Sequence, residues 1–398
     1  MTTTSVEFGG RTITIPHDPW REIRERTPVG LPPCRVVQAA AHVVMQPSYA
    51  AVDHSTGSPG HPDEIAQHVD WEATMAFRSH LAAHGFGIAE AMDTAQRFEL
   101  GWTAARELIR RCGDLRLPTG FVAGASVDHL DEVSTPSQLI DGVIEQVGII
   151  QAAGGIAVLL PMPLLTRWQA DEQQYVDVYT AIIDGCEGPL ITHWLGEMFL
   201  PELAGYFPGD SFLRIMRHDP TTVRAAKLSL LDPNVERRLA HELRQQDQFM
   251  LTGDDYNFAP LLTGVGTPDG QTSLGDIPVP LGPFSHGLLG IFDGIAAPAE
   301  IGLRALAAGH RDDAMMVLMA CQQLGRAIFE PPVHRYKAGL AFLAWLNGHQ
   351  DTFDLVNHVQ RERSLDHYAM VLQLAADAGA LTDVETATDR LGRFPALD

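Results

Sequence analysis

The chain has only two lysines, Lys227 and Lys337, against 26 arginines. Lys227 directly follows a short, mostly apolar run at 223–226. A segment of helical period begins soon afterwards at Val235. Arginine keeps its proton, whereas a desolvated lysine can lose its proton and attack a carbonyl to form a Schiff base. Lys227 is therefore predicted to be a catalytic amine. The alternative is a lysine that only forms a salt bridge, or reaches solvent, at a strand end.

Other polar side chains also lie where predicted strands end. Asp93, Thr94 and Gln96 follow the second apolar run, His193 lies in the fifth, and Asp254 follows the seventh. A lysine, a histidine and carboxylates that converge at one place suit amine catalysis with general acid–base help. His193 is predicted to shuttle the proton, because an ordinary histidine pKa of about 6.5 suits that work. The other four residues are predicted to bind the substrate.

Strand alternation adds Glu90 to the predicted substrate-binding residues, because Glu90 would face the lumen if Thr94 does. Each of these residues also has a purely structural interpretation. His193 could be a core histidine, Glu90 could be a buried ion-pair partner, and Asp254 or Asp255 could cap the next helix.

The elements that must position these residues form a repeating pattern. Short runs rich in Val, Ile, Ala and Gly alternate with segments of helical period. Continuous apolar strands separated by helices indicate a parallel sheet, and eight such units between residues 34 and 300 favour a (β/α)8 barrel. The predicted strands are about 35–45, 86–92, 119–125, 155–161, 188–194, 222–228, 248–252 and 286–292. The predicted helices between them include Trp71–Ala83, Phe98–Arg111, Pro136–Ala153, Glu172–Cys186 and Val235–Gln246.

Two regions flank this barrel. Residues 1–33 are predicted to be an N-terminal extension with a small hairpin, and residues 301–398 a C-terminal helical region on the 34–300 barrel. The Gly/Pro-rich stretch 260–285 is too long for an ordinary connection in a compact domain. It is therefore expected to be a lid, a binding loop or a disordered segment.

Composition narrows the class of partner. Fifty Asp and Glu against 28 Lys and Arg give a net charge of −22. That charge argues against nucleic acid and anionic membrane, both of which need a basic face. The four cysteines lie far apart, without metal-ligand spacing or a disulfide framework. No signal peptide or membrane span is predicted, so a cytoplasmic enzyme or binding protein is expected.

The order and spacing of several motifs resemble the dihydrodipicolinate synthase/N-acetylneuraminate lyase superfamily, the class I Schiff-base aldolases. The similarity runs from about residue 36 to 346, within a divergent bacterial subset grouped as a domain of unknown function. The motifs that carry it are 69–73, 123–125, 135–137, 157–163, 225–229, 251–255, 330–332 and 336–340. The resemblance implies a (β/α)8 barrel with C-terminal helices, a homo-oligomer (dimer or tetramer), and Lys227 as the Schiff-base lysine. In this alignment Lys337 lies on a helix outside the site.

Departures from the family pattern bear on the substrate. The family's second strand ends in a Gly-Thr-Thr-Gly-Glu carboxylate-binding motif, and the matching stretch here, 92–96, keeps only Thr94 and introduces Asp93. His193 stands where the family has a proton-relaying tyrosine, and the arginine that usually follows is absent from 194–198. Pyruvate is therefore not the expected donor.

Taken together, the residues and the resemblance predict a lyase that needs no cofactor besides the covalent imine on Lys227. It would cleave or dehydrate a keto-sugar or another sugar-derived carbonyl compound. One alternative is a sugar isomerase or epimerase on the same barrel that uses a divalent metal, Mg²⁺ or Mn²⁺. Its ligands would come from Glu90, Asp93, His193, Glu197 and Asp254. A second alternative is a non-catalytic ligand-binding barrel.

Overall fold

Eight parallel strands close into a barrel in the computed structural model, which describes residues 2–395. The order around the barrel is β12-β3-β4-β5-β6-β7-β8-β9, and β12 pairs with both β3 and β9. The strands are β1 (Thr3–Phe8), β2 (Arg11–Pro16), β3 (Val37–Ala40), β4 (Gly87–Glu90), β5 (Phe121–Ala125), β6 (Ile156–Leu159), β7 (Leu190–Leu195), β8 (Val223–Ser229), β9 (Phe249–Thr252), β10 (Gly270–Leu274), β11 (Ile277–Leu281) and β12 (His286–Leu289). All eight predicted barrel strands are confirmed.

Helices connect the strands and cover the outside of the barrel. They are α1 (Arg21–Arg26), α2 (Pro62–Ala66), α3 (Trp71–Ala83), α4 (Arg97–Asp114), α5 (Pro136–Ala152), α6 (Pro163–Arg167), α7 (Glu172–Asp184), α8 (Ser211–His218), α9 (Pro233–Arg244), α10 (Phe258–Thr263), α11 (Phe292–Ala307), α12 (Arg311–Ile328), α13 (Lys337–Leu346), α14 (Leu365–Ala378) and α15 (Val384–Leu391). The five predicted barrel helices are confirmed to within a few residues. Capping boxes at Thr135 and Asp171 begin α5 and α7 by satisfying free backbone N–H groups.

The barrel interior is apolar over most of its height. Alternate residues of the strands point inward and pack with one another; these include Ala89, Val122, Val158, Ile191, Ala225, Phe249 and Leu288. Their neighbours along the strands pack outward against the helices. Because this interior is filled, the polar chemistry is restricted to the edge at which the strands end.

The stretch 260–285 is not a lid over that edge. It contains α10 and then the antiparallel hairpin β10–β11, whose Leu274, Val279 and Leu281 join the apolar cluster of the lumen. Arg224, near the start of β8, donates a hydrogen bond to the Ser273 carbonyl (3.2 Å). The hairpin therefore plugs the edge at which the strands begin. The expectation of a lid, binding loop or disordered segment is wrong, because α10 first returns the chain to the opposite edge.

The C-terminal region covers the edge at which the strands end. Its 3-10 turns Val333–Tyr336 and Val356–Glu362 lie over this edge, where Gln96 bonds the backbone of Val356 in both directions (3.0 and 3.1 Å). The predicted boundary at 300/301 falls inside α11, which is the eighth helix of the barrel. None of the helices within residues 2–395 combines the length and apolar character that a membrane crossing requires.

The predicted N-terminal hairpin is confirmed as the β1–β2 pair. Its two turn residues, Gly9 and Gly10, have φ angles of +57° and +72°, which glycine adopts without steric cost. Phe8 of this hairpin packs against Phe342 of α13, so the two ends of the chain meet on one side of the barrel.

Candidate active site

Lys227 faces the lumen near the end of β8. Ala225, two residues earlier, belongs to the lumen cluster, whereas Ala226 and Leu228 pack outward. Alternation along the strand therefore turns the lysine side chain inward. The parallel register places Lys227 beside His193 of β7 on one side and Leu251 of β9 on the other. The predicted amine is thus at the end of the barrel where active sites of this fold lie.

Gly253 makes room for the lysine side chain. A Cβ atom at this position would lie 2.9 Å from Lys227 Cε, and it would also overlap the hydroxyl of Ser229. Contacts that short do not occur between real carbon atoms, so any other residue at position 253 would displace the lysine. The glycine after β9 therefore helps to define where the amine sits.

The surroundings of Lys227 favour the neutral amine. Burial lowers its pKa to about 8, although the negative charges of Asp255 and Asp93 act in the opposite direction. Near neutral pH only a minority of such a lysine is free amine, but that share is far larger than for an ordinary lysine, and the free amine is the form that attacks a carbonyl. Lys227 also keeps part of its surface accessible, so it is not sealed in the core.

Asp255 is the carboxyl group that the sequence analysis missed. Burial raises its pKa, while a hydrogen bond from the Ile291 N–H to Oδ1 (2.8 Å) and the charge of Lys227 oppose that effect. Asp255 and Lys227 are thus a buried carboxyl group and a buried amine whose charges act on each other. The Asp-Asp sequence at 254–255 signalled two carboxyl groups at this strand end but did not show which of them faces the lysine.

His193 lies next to Lys227 but is more deeply buried than a typical proton shuttle. Burial and the charge of Lys227 hold its pKa well below the ordinary value, so the ring is neutral at physiological pH. Its Nε2 is 3.3 Å from Ser229 Oγ, and its Nδ1 has no hydrogen-bond partner among the described residues. The expectation of an unshifted pKa is therefore wrong, and His193 is a weaker base than the sequence suggested.

On the other side of the mouth, Asp93 joins residues from two regions of the chain. Its Oδ2 accepts hydrogen bonds from Lys337 Nζ (2.9 Å) and Tyr336 Oη (3.0 Å). Thr94 Oγ1 lies 2.8 Å from the same phenol oxygen. The ammonium group of Lys337 lowers the pKa of Asp93 against the effect of burial. Lys337 is therefore not outside the site, as the sequence alignment implied, because the 3-10 turn before α13 brings it onto the barrel mouth.

Glu90 lies outside this cavity. Both of its carboxylate oxygens accept hydrogen bonds from the Arg78 guanidinium (2.8 and 2.9 Å), and neither side chain is exposed. The chain leaves the strand conformation at Ala91, whose φ is +48°, so alternation does not carry through to Thr94. The prediction that Glu90 faces the lumen is wrong. Glu90 is instead a buried ion-pair partner of Arg78, as the alternative interpretation had it.

Two other residues predicted to bind the substrate, Gln96 and Asp254, form hydrogen bonds with backbone groups instead. Gln96 ties the end of β4 to the C-terminal region through Val356. Asp254 caps the following turn by accepting hydrogen bonds from the N–H groups of Tyr256 and Asn257, both at 3.0 Å. Asp254 therefore has a structural role in the turn before α10, but it does not cap the helix itself, whose first turn has no side-chain cap.

The ligands predicted for an alternative metal site are not brought together. Glu90 is paired with Arg78, Asp254 is bound to the backbone of a turn, and Glu197 is exposed on the turn after β7. Within residues 2–395, no three His, Cys, Asp or Glu side chains are grouped as metal ligands would be.

A protein-family model matches most of this chain. Residues 17–398 match the family described as "Protein of unknown function (DUF993)". The chain belongs to the DUF993 family. No curated protein sequence matches it. The prediction of a divergent subset grouped as a domain of unknown function is thus confirmed.

Solved structures similar to this DUF993 protein include dihydrodipicolinate synthases and an N-acetylneuraminate lyase. Dihydrodipicolinate synthase from Bacillus clausii has a TM-score of 0.60 at 14% identity, covering 86% of this chain and 97% of that one. A dihydrodipicolinate synthase from Acinetobacter baumannii, complexed with pyruvate, has 0.56 at 15%, covering 87% and 100%. N-acetylneuraminate lyase from Mycoplasma synoviae has 0.54 at 12%, covering 87% and 98%. The predicted resemblance is confirmed for the fold.

Proposed function

We propose that this DUF993 protein is a Schiff-base-forming lyase in which Lys227 is the nucleophile. The observation that carries the proposal is a lumen-facing lysine of lowered pKa at the edge where the strands end, with the buried carboxyl group of Asp255 near enough for its charge to act on the amine. The fold it shares with dihydrodipicolinate synthases and N-acetylneuraminate lyase supports an activity of the lyase type. A salt bridge alone would keep the lysine fully charged and would not require the space that Gly253 leaves for it.

The reaction begins when the neutral Lys227 amine adds to the substrate carbonyl and water leaves, so that a protonated imine forms. In retro-aldol cleavage, a base removes the proton of the hydroxyl on the β carbon. The bond between the α and β carbons then breaks, its electron pair moves to the imine nitrogen, and an aldehyde leaves. In dehydration, the base removes the α proton and the β hydroxyl leaves as water. Asp255 and His193 are the bases beside Lys227, and a carboxyl pKa near neutrality suits Asp255 to this exchange.

The proposed substrate is a keto-sugar or a related sugar-derived carbonyl compound. Thr94 and Asp93 lie across the mouth from Lys227, and the half-exposed Asp93 presents a hydrogen-bond acceptor. The negative charge of Asp93 repels a carboxylate, and the ion pair with Lys337 weakens that repulsion. Neither Arg97 nor Arg167 replaces the missing family residue, because Arg97 is bound to Asp128 (2.8 and 3.0 Å) and Arg167 to Glu202.

Reductive trapping tests this function. Cyanoborohydride with three- to six-carbon ketoses should leave a mass adduct on Lys227, with pyruvate as the comparison. Lys227→Arg should abolish the adduct and any turnover, because arginine keeps the charge but not the nucleophile. Lys227→Met controls for the loss of the side-chain charge, and circular dichroism checks the fold of both variants.

Three outcomes would contradict parts of this proposal. Turnover retained by Lys227→Arg would end the Schiff-base mechanism. Ligand binding with no adduct on Lys227 would identify a non-catalytic barrel. Saturable trapping of pyruvate at micromolar concentration, without trapping of ketoses, would place the chain with pyruvate-dependent aldolases.

A further inference from the structure

We infer that Asp93 selects the substrate by accepting a hydrogen bond from its hydroxyl groups, and that Lys337 and Tyr336 of the C-terminal region hold Asp93 for this purpose. This inference rests on the proposed function and deepens it. It assigns the substrate-recognition chemistry to one carboxylate oxygen, and it makes the C-terminal region part of the active site.

The two donors that hold Asp93 both use the same oxygen. Lys337 Nζ and Tyr336 Oη bind Oδ2 at 2.9 and 3.0 Å, and no donor among residues 2–395 binds Oδ1. The Asp93 side chain is 51% exposed, whereas that of Lys337 is only 4% exposed. The ammonium group is therefore covered while the carboxylate is open, and Oδ1 is left to accept a hydrogen bond from a bound molecule.

The hydrogen bonds of the Tyr336 phenol also hold the Asp93 carboxylate in place. The phenol of Tyr336 has one proton, and it is donated to Asp93, so Thr94 must donate to the phenol oxygen. Burial and the Asp93 charge raise the pKa of Tyr336 well above its ordinary value, so the phenol stays a donor. Its ring stacks on Phe329, with ring centroids 4.3 Å apart, which fixes the direction of the hydroxyl. The carboxylate is thus held by a chain of side chains that are themselves fixed.

The barrel geometry sets Asp93 at the far end of a substrate bound to Lys227. Asp93 follows β4 and Lys227 lies on β8, and these strands are four apart in a ring of eight. They therefore lie on opposite sides of the mouth. A carboxylate acceptor there binds hydrogen-bond donors and disfavours anions, so the substrate is a carbonyl compound that carries hydroxyl groups.

Two ketones of equal carbon number test the assignment. Erythrulose and 2-butanone both have four carbons, but only erythrulose carries hydroxyl groups. The half-saturating concentration of each is measured by cyanoborohydride trapping at Lys227, read as intact mass. In the natural protein, erythrulose should saturate at the lower concentration. Asp93→Asn also removes a charge that acts on Lys227, and this part of the effect is shared by both ketones. The half-saturation of erythrulose relative to that of 2-butanone should therefore rise about ten- to a hundredfold, which is the loss expected for a hydrogen bond to a charged group.

Variants of Lys337 and Tyr336 test whether these residues position Asp93 for substrate binding or only stabilise the fold. Lys337→Met and Tyr336→Phe should weaken erythrulose trapping in the same direction but less strongly, and Lys337→Arg should restore part of it. Asp366→Asn changes an exposed carboxylate at the start of α14 and should alter neither ketone. If Lys337→Met does not fold, Asp93→Asn and Tyr336→Phe still give the answer, because both keep the shape of the side chain.

The outcomes distinguish the inference from the function on which it rests. An Asp93→Asn effect that is equal for both ketones, or absent for both, would overturn the inference and leave the Schiff base intact. Absence of any Lys227 adduct with either ketone in the natural protein would count against the proposed function itself.

Discussion

At the scale of single residues, the chemistry depends on which groups share the space around one amine. The position of Lys227 at a strand end was readable from the sequence, but its lowered pKa comes from burial among neighbours on other strands. Asp255, Ser229 and Gly253 all contribute to that environment. The same burial makes His193 a neutral ring instead of an ordinary titrating histidine.

The pH dependence of imine formation should follow the free amine of Lys227. Its pKa is lowered to about 8, so the reactive neutral form is scarce below that pH and dominates above it. The initial rate of adduct formation should therefore rise with pH, with a midpoint near pH 8. Asp255→Asn removes a charge that favours the ammonium form, so the midpoint should move to lower pH. A midpoint at the ordinary lysine value would show that the amine is not desolvated.

His193→Phe tests the predicted proton shuttle. If His193 relays a proton, turnover should fall by about 10²–10⁴-fold, which is typical for loss of a general acid or base. Adduct formation at Lys227 should persist, because the amine remains. The measurement is the turnover rate beside the trapping rate across a pH series. Full activity with an unchanged pH profile would make His193 a core residue and leave the proton transfer to Asp255.

At the scale of elements, the two edges of the barrel have different functions. The hairpin β10–β11 fills the edge at which the strands begin, whereas the C-terminal turns lie over the other edge. The buried pair of Arg78 and Glu90 fastens α3 to the end of β4 on the outside of the barrel. The hairpin and the Arg78–Glu90 pair are structural supports, and of these three features only the C-terminal turns supply side chains to the site.

Leu274→Ala tests the assignment of the hairpin as a plug. Leu274 is fully buried in the lumen cluster, so its truncation should reduce the free energy of unfolding by about 2–5 kcal/mol. Trapping at Lys227 should be unaffected, because the plug lies at the opposite edge. Leu365→Ala, at a 43% exposed position, is the matched control and should change stability by only about 0.5 kcal/mol or less. Denaturant unfolding measures both, and loss of trapping in folded Leu274→Ala protein would place the hairpin near the site.

At the scale of the whole molecule, the C-terminal region and the barrel form one functional unit. Tyr336 and Lys337 reach residues 93 and 94 across more than 240 positions of sequence. A barrel cut at residue 300 would lose this contact and would also be cut inside α11. The net charge of −22 remains consistent with the prediction that the partner is a small molecule and not a nucleic acid.

The chain is predicted to assemble as a homo-oligomer, a dimer or a tetramer, as its resemblance to the aldolase superfamily implies. Large apolar side chains such as Phe98 (54% exposed), Met316 (58%) and Val265 (69%) are available for a subunit contact, and their burial would favour association. Sedimentation equilibrium at micromolar concentration should give two or four times the 43.4 kDa of one chain. A single species of monomer mass would contradict the prediction.

The sequence by itself determined the barrel, its strand order and the candidate amine, because these depend on local periodicity and on the rarity of lysine. Only the tertiary structure decided which side chains surround that amine. Glu90 turns outward because the chain leaves the strand conformation at Ala91. Asp255, and not Asp254, is the carboxyl group that acts on Lys227, because Asp254 is bound to the backbone of a turn. Lys337 reaches Asp93 because a distant turn lies over the barrel mouth. Contacts of this kind are set by packing between elements, and no local pattern in the chain records them.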